Sequence, residues 1–197
     1  MYTRRSKNQR PSPKTALRAQ ENGITGWSSY ESNREREDSL DDSINFLTQN
    51  LPSQFPRTNK LDYAVIKAHL IFESILTEYI CAKSAVCVQR EDLRISYPRR
   101  LDVAFLMGFG VNDTYTIPTF DLMNEARNQS AHRFDLDKSV VDKILRINTN
   151  DPHTFKIHGD ADRIKDLRSL TRGFCHVTAG FLHGQYWAEK IFESKKR

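Results

Sequence analysis

Cysteine and long hydrophobic runs are scarce in this chain of 197 residues. It has three cysteines, Cys81, Cys87 and Cys175, and no two of them form a CxxC pair. This pattern argues against a disulfide-stabilised scaffold and against a zinc module, and it suits a reducing cytoplasm. No segment approaches the roughly 18 uninterrupted apolar residues of a membrane span, and no apolar segment follows Met1 as in a secretory signal. We therefore expect a cytoplasmic protein without a membrane partner.

The signatures of several enzyme classes are also missing. The sequence has no GxxxxGK[ST] phosphate loop, no GxSxG nucleophile and no HExxH zinc motif. His69 and Glu73 are four residues apart and would share a helix face, but no second Glu/His pair completes a di-metal site. We therefore expect neither metal nor cofactor, and we interpret this pair as core or interface residues or as support for an active site. His176 and His183, seven residues apart, are interpreted as partly exposed helix positions.

Basic residues are concentrated at the N-terminus. Between residues 1 and 20 there is no acid, and the basic residues there outnumber the net charge of +5 for the whole chain. Large apolar residues are almost absent there, so the segment cannot offset the entropy of ordering it. We predict a disordered basic arm over residues 1–38 and a helical domain over residues 39–197. The arm is either a solvated tail or an electrostatic contact for RNA or an acidic partner. Its candidate RNA-binding residues are Arg4, Arg5, Lys7 and Arg10.

Beyond the arm, apolar residues recur at helical spacing. A long apolar helix from about residue 60 to 88 is predicted to be central, and a second long helix is predicted to close the chain. Gly108 and Gly110 predict a helix end, and residues 148–159 predict a loop. The signals that predict helix starts are Ser39 with Asp42, then Asn59, Pro98, Pro118, Asp137 and Asp160. No segment of any length alternates as a half-buried strand should. The prediction is an all-α bundle of five or six helices.

The best candidate site is the string Arg127-Asn128-Gln129-Ser130-Ala131-His132. In an uninterrupted helix, positions five apart lie about 140° from each other around the axis. We expect the helix to end close to Ala131, so that the chain can return His132 towards Arg127 with Asn128 beside both. A cation, an amide and an imidazole near a helix end make a plausible phosphate site. The alternative is that Arg127 and His132 only complement the helix dipole.

This string resembles the R-x4-6-H signature of HEPN (higher eukaryote and prokaryote nucleotide-binding) domains. The context is similar as well: a long early helix with Glu73 inside it, a helix ending at the string, and an aromatic residue and an acid leading into the next helix. The stretch LDVAFLMGFG at 101–110 resembles the mannitol-repressor-like branch of that superfamily. The resemblance covers about residues 60–190, and the 127–137 string is its specific part.

The resemblance implies a metal-independent endoribonuclease of a toxin–antitoxin or phage-defence system, which forms a 2′,3′-cyclic phosphate. Arg127, His132 and Asn128 would be catalytic, Glu73 and His69 would support them, and Arg133 would contact RNA. The implied partners are RNA, a second copy of the chain, and an antitoxin or defence-system protein. Phe134 stands where many toxin members have a tyrosine, which excludes nucleotidylation at that position. The alternative function is a non-catalytic regulator resembling the mannitol repressor, which binds a protein or nucleic acid.

Overall fold

The computed structural model describes residues 37–84, 90, 93–132, 136–149, 156–157 and 159–195. The chain divides into two units, Met1–Glu37 and Asp38–Arg197, and the bundle described here belongs to the second. The described residues are helical or irregular and include no strand, which confirms the predicted all-α bundle. The basic arm with Arg4, Arg5, Lys7 and Arg10 lies outside the described residues up to residue 36. Residues 37 and 38, the last two of the predicted arm, already belong to the first helix.

The bundle is built around one long apolar helix. Helix α1 covers residues 37–45 and runs into a π-helical turn, Phe46–Asn50, and a 3-10 turn, Pro52–Gln54. The following helices are α2 (Leu61–Lys83), α3 (Tyr97–Leu106), α4 (Thr116–His132), α5 (Lys138–Ile147) and α6 (Asp160–Ser194). Helix α2 contacts α3, α4 and α6, whereas α5 packs against α4 and α6. In the described part of the chain, none of the helices combines the length and the apolar character needed to cross a bilayer.

Aromatic side chains join three helices at the centre of the core. The ring centroids of Phe72 on α2 and Phe120 on α4 are 4.5 Å apart, and Phe174 on α6 lies 5.3 Å from each of them. Each of these rings is at least nine-tenths buried, and burying a side chain of this size contributes roughly 1.5–3 kcal/mol. This cluster fixes α4 against α2, and therefore fixes the helix that carries the candidate site.

Three of the predicted helix boundaries are confirmed. Pro98 lies in the first turn of α3, where its missing N–H costs no hydrogen bond. Gly108 and Gly110 follow the end of α3 with φ of +100° and +68°, a conformation that glycine adopts without strain. Asp137 caps α5, because its carboxylate accepts a hydrogen bond from the Ser139 backbone N–H at 2.9 Å.

Two predicted starts near the N-terminal end of the bundle are wrong. Ser39 lies inside α1, because the helix already includes residue 37. Asn59 does not cap α2: the capping position is Lys60, without a side-chain cap, and the Lys60 N–H donates to the Thr58 hydroxyl at 3.0 Å. Helix α2 ends at Lys83 rather than near residue 88, and residues 85–89 lie outside the described part.

The starts of α4 and α6 also differ from the prediction. Helix α4 begins two residues before Pro118, because the Asp113 carboxylate accepts hydrogen bonds from the backbone N–H groups of Tyr115 (3.0 Å) and Thr116 (2.6 Å). Asp160 is the first residue of α6 rather than its cap. Its carboxylate instead pairs with Lys138 at 2.8 Å and Arg163 at 3.2 Å, which ties α6 to the start of α5.

Candidate functional site

Arg127 and Asn128 lie side by side on α4. Arg127 is half-buried, and its Nη1 donates a hydrogen bond to Asn128 Oδ1 at 3.1 Å. The structure therefore brings together two of the three residues expected at the site. Because the amide oxygen occupies one guanidinium donor, the remaining donors of Arg127 keep a restricted orientation.

Arg127 differs from the other half-buried arginines of the described ranges in that no carboxylate pairs with it. Three arginines of these ranges are half-buried: Arg100, Arg127 and Arg163. Arg100 pairs with a glutamate at 3.3 Å and Arg163 with two aspartates at 2.7 and 3.2 Å. Arg127 has no carboxylate within ion-pair distance among the described residues. A half-buried guanidinium without a carboxylate partner among the described residues is suited to bind an anion such as a phosphate through two parallel hydrogen bonds.

His69 on α2 is the imidazole that the structure places near Arg127. Its side chain is 5 % exposed, and its ring packs on that of Tyr97 with centroids 4.4 Å apart. The pKa of His69 is lowered from 6.5 to about 4, first by burial and then by the charge of Arg127, while an interaction with the Asn124 side chain acts in the opposite direction. Neither ring nitrogen reaches a described residue with hydrogen-bond geometry. His69 is therefore a neutral imidazole at pH 7.

Glu73 is held by Arg100. Arg100 Nη1 lies 3.3 Å from the Glu73 carboxylate and donates to the Thr77 hydroxyl at 2.7 Å, while its other nitrogens donate to the carbonyls of Leu93 and Ile95, both at 3.1 Å. Glu73 therefore fixes α3 and the segment before it against α2. Within the part of the chain that the structure describes, no group of three or more histidine, cysteine or carboxylate side chains could hold a metal ion.

Tyr97 and Asn124 are residues of this site that the sequence analysis missed. The Tyr97 hydroxyl donates to the Phe120 carbonyl at 3.0 Å, and burial, Asp121 and Glu73 all raise the pKa of Tyr97. Asn124 lies one helical turn before Arg127 on α4. That spacing was a signal available in the sequence, whereas the contact between Tyr97 and His69 joins α3 to α2 and has no local signature.

The third expected catalytic residue, His132, is the last residue of α4. Because the backbone is still helical there, Arg127 and His132 start about 140° apart around the helix axis. The turn that was expected to return His132 towards Arg127 does not occur before His132, since α4 continues one residue past Ala131. The side chain of His132 and the whole of Arg133 lie outside the described residues.

The arrangement combines a cation with neutral polar groups. Arg127 can hold an anion, while Asn124, Asn128 and the neutral imidazole of His69 can donate or accept hydrogen bonds beside it. An imidazole with a pKa of about 4 is a weak base at pH 7, so His69 is better suited to position a group than to remove a proton. We call the set His69, Tyr97, Asn124, Arg127 and Asn128 the Arg127 site.

Comparisons with family models, with curated proteins and with solved structures find no match to this chain. The likeness of the 127–137 string to HEPN domains therefore depends on the sequence of that string.

Proposed function

We propose that this protein is an HEPN-type endoribonuclease that needs no metal and acts in a toxin–antitoxin or phage-defence system. The observation that carries the proposal is the state of Arg127. It is half-buried, its guanidinium is oriented by Asn128 at 3.1 Å, and no described carboxylate neutralises it. A protein leaves a charge in that state at a cost, since a partly buried cation without a counter-ion loses hydration. A phosphate bound at Arg127 would restore the missing partner.

The proposed chemistry uses the nucleophile that RNA itself carries. The 2′-hydroxyl oxygen attacks the adjacent phosphorus, and the bond from phosphorus to the 5′-oxygen breaks. His132 takes the 2′ proton or gives a proton to the leaving 5′-oxygen, and water exchanges the other proton. Arg127 holds the phosphate and stabilises the negative charge that builds on its non-bridging oxygens. The products are a 2′,3′-cyclic phosphate and a 5′-hydroxyl.

The separation of Arg127 and His132 around α4 favours a site shared between two copies. Because these positions begin about 140° apart, one helix cannot easily direct both side chains at one phosphate. Two copies related by a two-fold axis would present Arg127 from one α4 to His132 from the other. The arm residues Arg4, Arg5, Lys7 and Arg10, together with Arg133, would add cationic contacts to the RNA backbone.

The direct test is cleavage of mixed RNA by the purified protein in excess chelator, followed by analysis of fragment ends. We expect cyclic phosphate and 5′-hydroxyl ends, and a loss of about 100-fold or more in rate for Arg127→Ala and for His132→Ala. Arg99→Ala, which removes an exposed arginine from α3, is the matched control and should keep full activity.

Two results would contradict the proposal. One is cleavage that survives both substitutions at the wild-type rate in proteins whose helical circular dichroism is intact. The other is a wild-type protein that cuts no RNA. If it cuts none, and if Arg127→Ala still binds its partner, the protein is a non-catalytic regulator of the mannitol-repressor type.

A further inference from the structure

One exposed face of α6 carries basic and aromatic side chains in a single line. We call it the α6 stripe, and its members are Lys165, Arg172, His176, His183, Trp187 and Lys190, all of them exposed. They follow one another at intervals of 7, 4, 7, 4 and 3 residues. At about 100° per residue, this spacing places all six within about 30° on either side of one line, over a length of about 38 Å.

The stripe contains no carboxylate. Between Lys165 and Lys190 the acids of α6 are Asp166 and Glu189, which point about 90° and 130° away from the line. Asp166 lines a cavity beside α5, and Glu189 lies 3.8 Å from Lys83 at the end of α2. Asp162, one turn before Lys165, lies about 50° from the line, whereas Arg172 has no acid of α6 within four residues, as expected at a surface that binds a polyanion.

An indole is held in a defined position on this face. Trp187 is 53 % exposed, and its Nε1 donates a hydrogen bond to His183 Nε2 at 3.0 Å. Gly180 and Gly184 lie beside it on α6, and a Cβ added at either would meet nothing within 4 Å. The backbone next to the indole is therefore open to close approach, and the exposed ring is available for stacking.

We propose that the α6 stripe binds single-stranded RNA, with Lys165 and Arg172 on phosphates of the RNA backbone and Trp187 stacked on a base. The choice of RNA over DNA rests on the proposed function. A second copy of the chain fits this face less well. Antiparallel pairing of two stripes brings Lys165 against Lys190, and parallel pairing brings each cation against its own copy.

All binding measurements use the whole chain with Arg127→Ala, because this substitution disables the proposed cleavage and leaves binding to be measured by itself. The probe is a labelled oligouridine of about 15 nucleotides, close to the upper limit of single-strand site sizes, and the readout is fluorescence anisotropy over a salt series. The test variant is Lys165→Gln with Arg172→Gln. The matched control is Lys143→Gln with Arg146→Gln, two exposed cations on α5 that change the net charge by the same amount.

We expect the stripe variant to bind about tenfold more weakly in 0.1 M salt, with a slope of log affinity against log salt that is shallower by about 1.4, since two phosphate contacts are lost. The control should stay within about twofold of its parent. Equal losses in both variants, or an unchanged slope in the stripe variant, would overturn the proposal, because either result assigns the binding to overall charge.

A second readout reports on the indole itself. In a Trp27→Phe background, oligouridine should quench the fluorescence of Trp187, and Trp187→Leu should weaken binding by about five- to 100-fold without changing the salt slope. Oligothymidine and duplex RNA are the comparison probes. Tighter binding of oligothymidine than of oligouridine would overturn the choice of RNA. Unchanged binding, together with a lower molecular mass in Trp187→Leu, would assign the face to a second copy. Because cleavage is disabled throughout, failure here is distinct from failure of the ribonuclease assay.

Discussion

Replacing His69 by phenylalanine should make the protein less sensitive to acid. The phenylalanine ring keeps the contact with Tyr97, whose centroid lies 4.4 Å from that of His69, and it removes two buried nitrogens that reach no described residue with good hydrogen-bond geometry. At pH 7 two effects oppose each other, because relief of the unpaired nitrogens stabilises the protein while the larger ring must be accommodated. Those two effects change little with pH, so the pH dependence of the unfolding free energy reports the titration of His69.

Acid destabilises the wild-type protein because the pKa of His69 is lower in the folded state than in the unfolded chain. In the unfolded chain His69 takes up a proton near pH 6.5, whereas in the folded protein burial and Arg127 delay this to about pH 4. Between these values the unfolded state binds more protons, so wild-type stability is complete above about pH 6.5 and is lost as the pH falls towards 4. A pKa lowered from 6.5 to about 4 corresponds to roughly 3 kcal/mol of unfolding free energy.

Urea unfolding followed by circular dichroism at pH 7, 6, 5 and 4 measures this difference. The unfolding free energy of His69→Phe minus that of the wild type should rise by roughly 3 kcal/mol between pH 7 and pH 4. Carboxylates that titrate in the same range cancel in the difference, because they are common to both proteins. A difference that stays constant over this range, or an NMR titration that gives His69 a pKa above 6, would refute the reasoning.

Two further predictions concern the segment before α4. Asp113→Ala removes the acceptor for the backbone N–H groups of Tyr115 and Thr116 at the start of α4, and it should lower the unfolding free energy by about 1–2 kcal/mol, measured by urea unfolding. Gly110→Ala should lower the melting temperature, because φ is +68° and the new Cβ would lie 2.9 Å from Thr116 Cγ2. Gly173→Ala, in α6 with open space around the new Cβ, should instead raise the melting temperature, because it adds about 0.5–1 kcal/mol to the unfolding free energy. Equal shifts for both glycine variants would contradict this account.

Helix identity was predictable from the sequence because it depends on periodic apolar residues. Helix α2 is buried over most of its length, as its apolar composition indicated. Helix starts were less predictable, because several residues in a row can supply a cap. Pro118 marked α4, yet Asp113 determines where the helix begins, since its carboxylate lies within reach of the backbone N–H groups of Tyr115 and Thr116. The choice between such signals depends on how the chain leaves α3.

In the candidate site, only the contact between residues that are neighbours in the sequence was predictable. Arg127 and Asn128 are neighbours in sequence, and they are in contact in the structure. The contact of His69 with Tyr97 joins residues 28 positions apart, and no spacing rule identifies it. The spacing of His69 and Glu73 correctly placed both on one face of α2. It could not indicate that Arg100 would hold Glu73 while His69 would pack on Tyr97, with neither ring nitrogen in good hydrogen-bond geometry to a described residue.

The contrast between Arg100 and Arg127 separates a structural arginine from a candidate functional one. Arg100 uses its donors on Glu73, Thr77 and two backbone carbonyls, so it has little capacity left for a ligand. Among the described residues, Arg127 keeps most of its donors, and the imidazole beside it makes no hydrogen bond of good geometry. Leaving both groups unsatisfied costs stability, and such costs are concentrated at functional sites because binding a ligand there repays them. We therefore expect a ligand bound at the Arg127 site to stabilise this bundle.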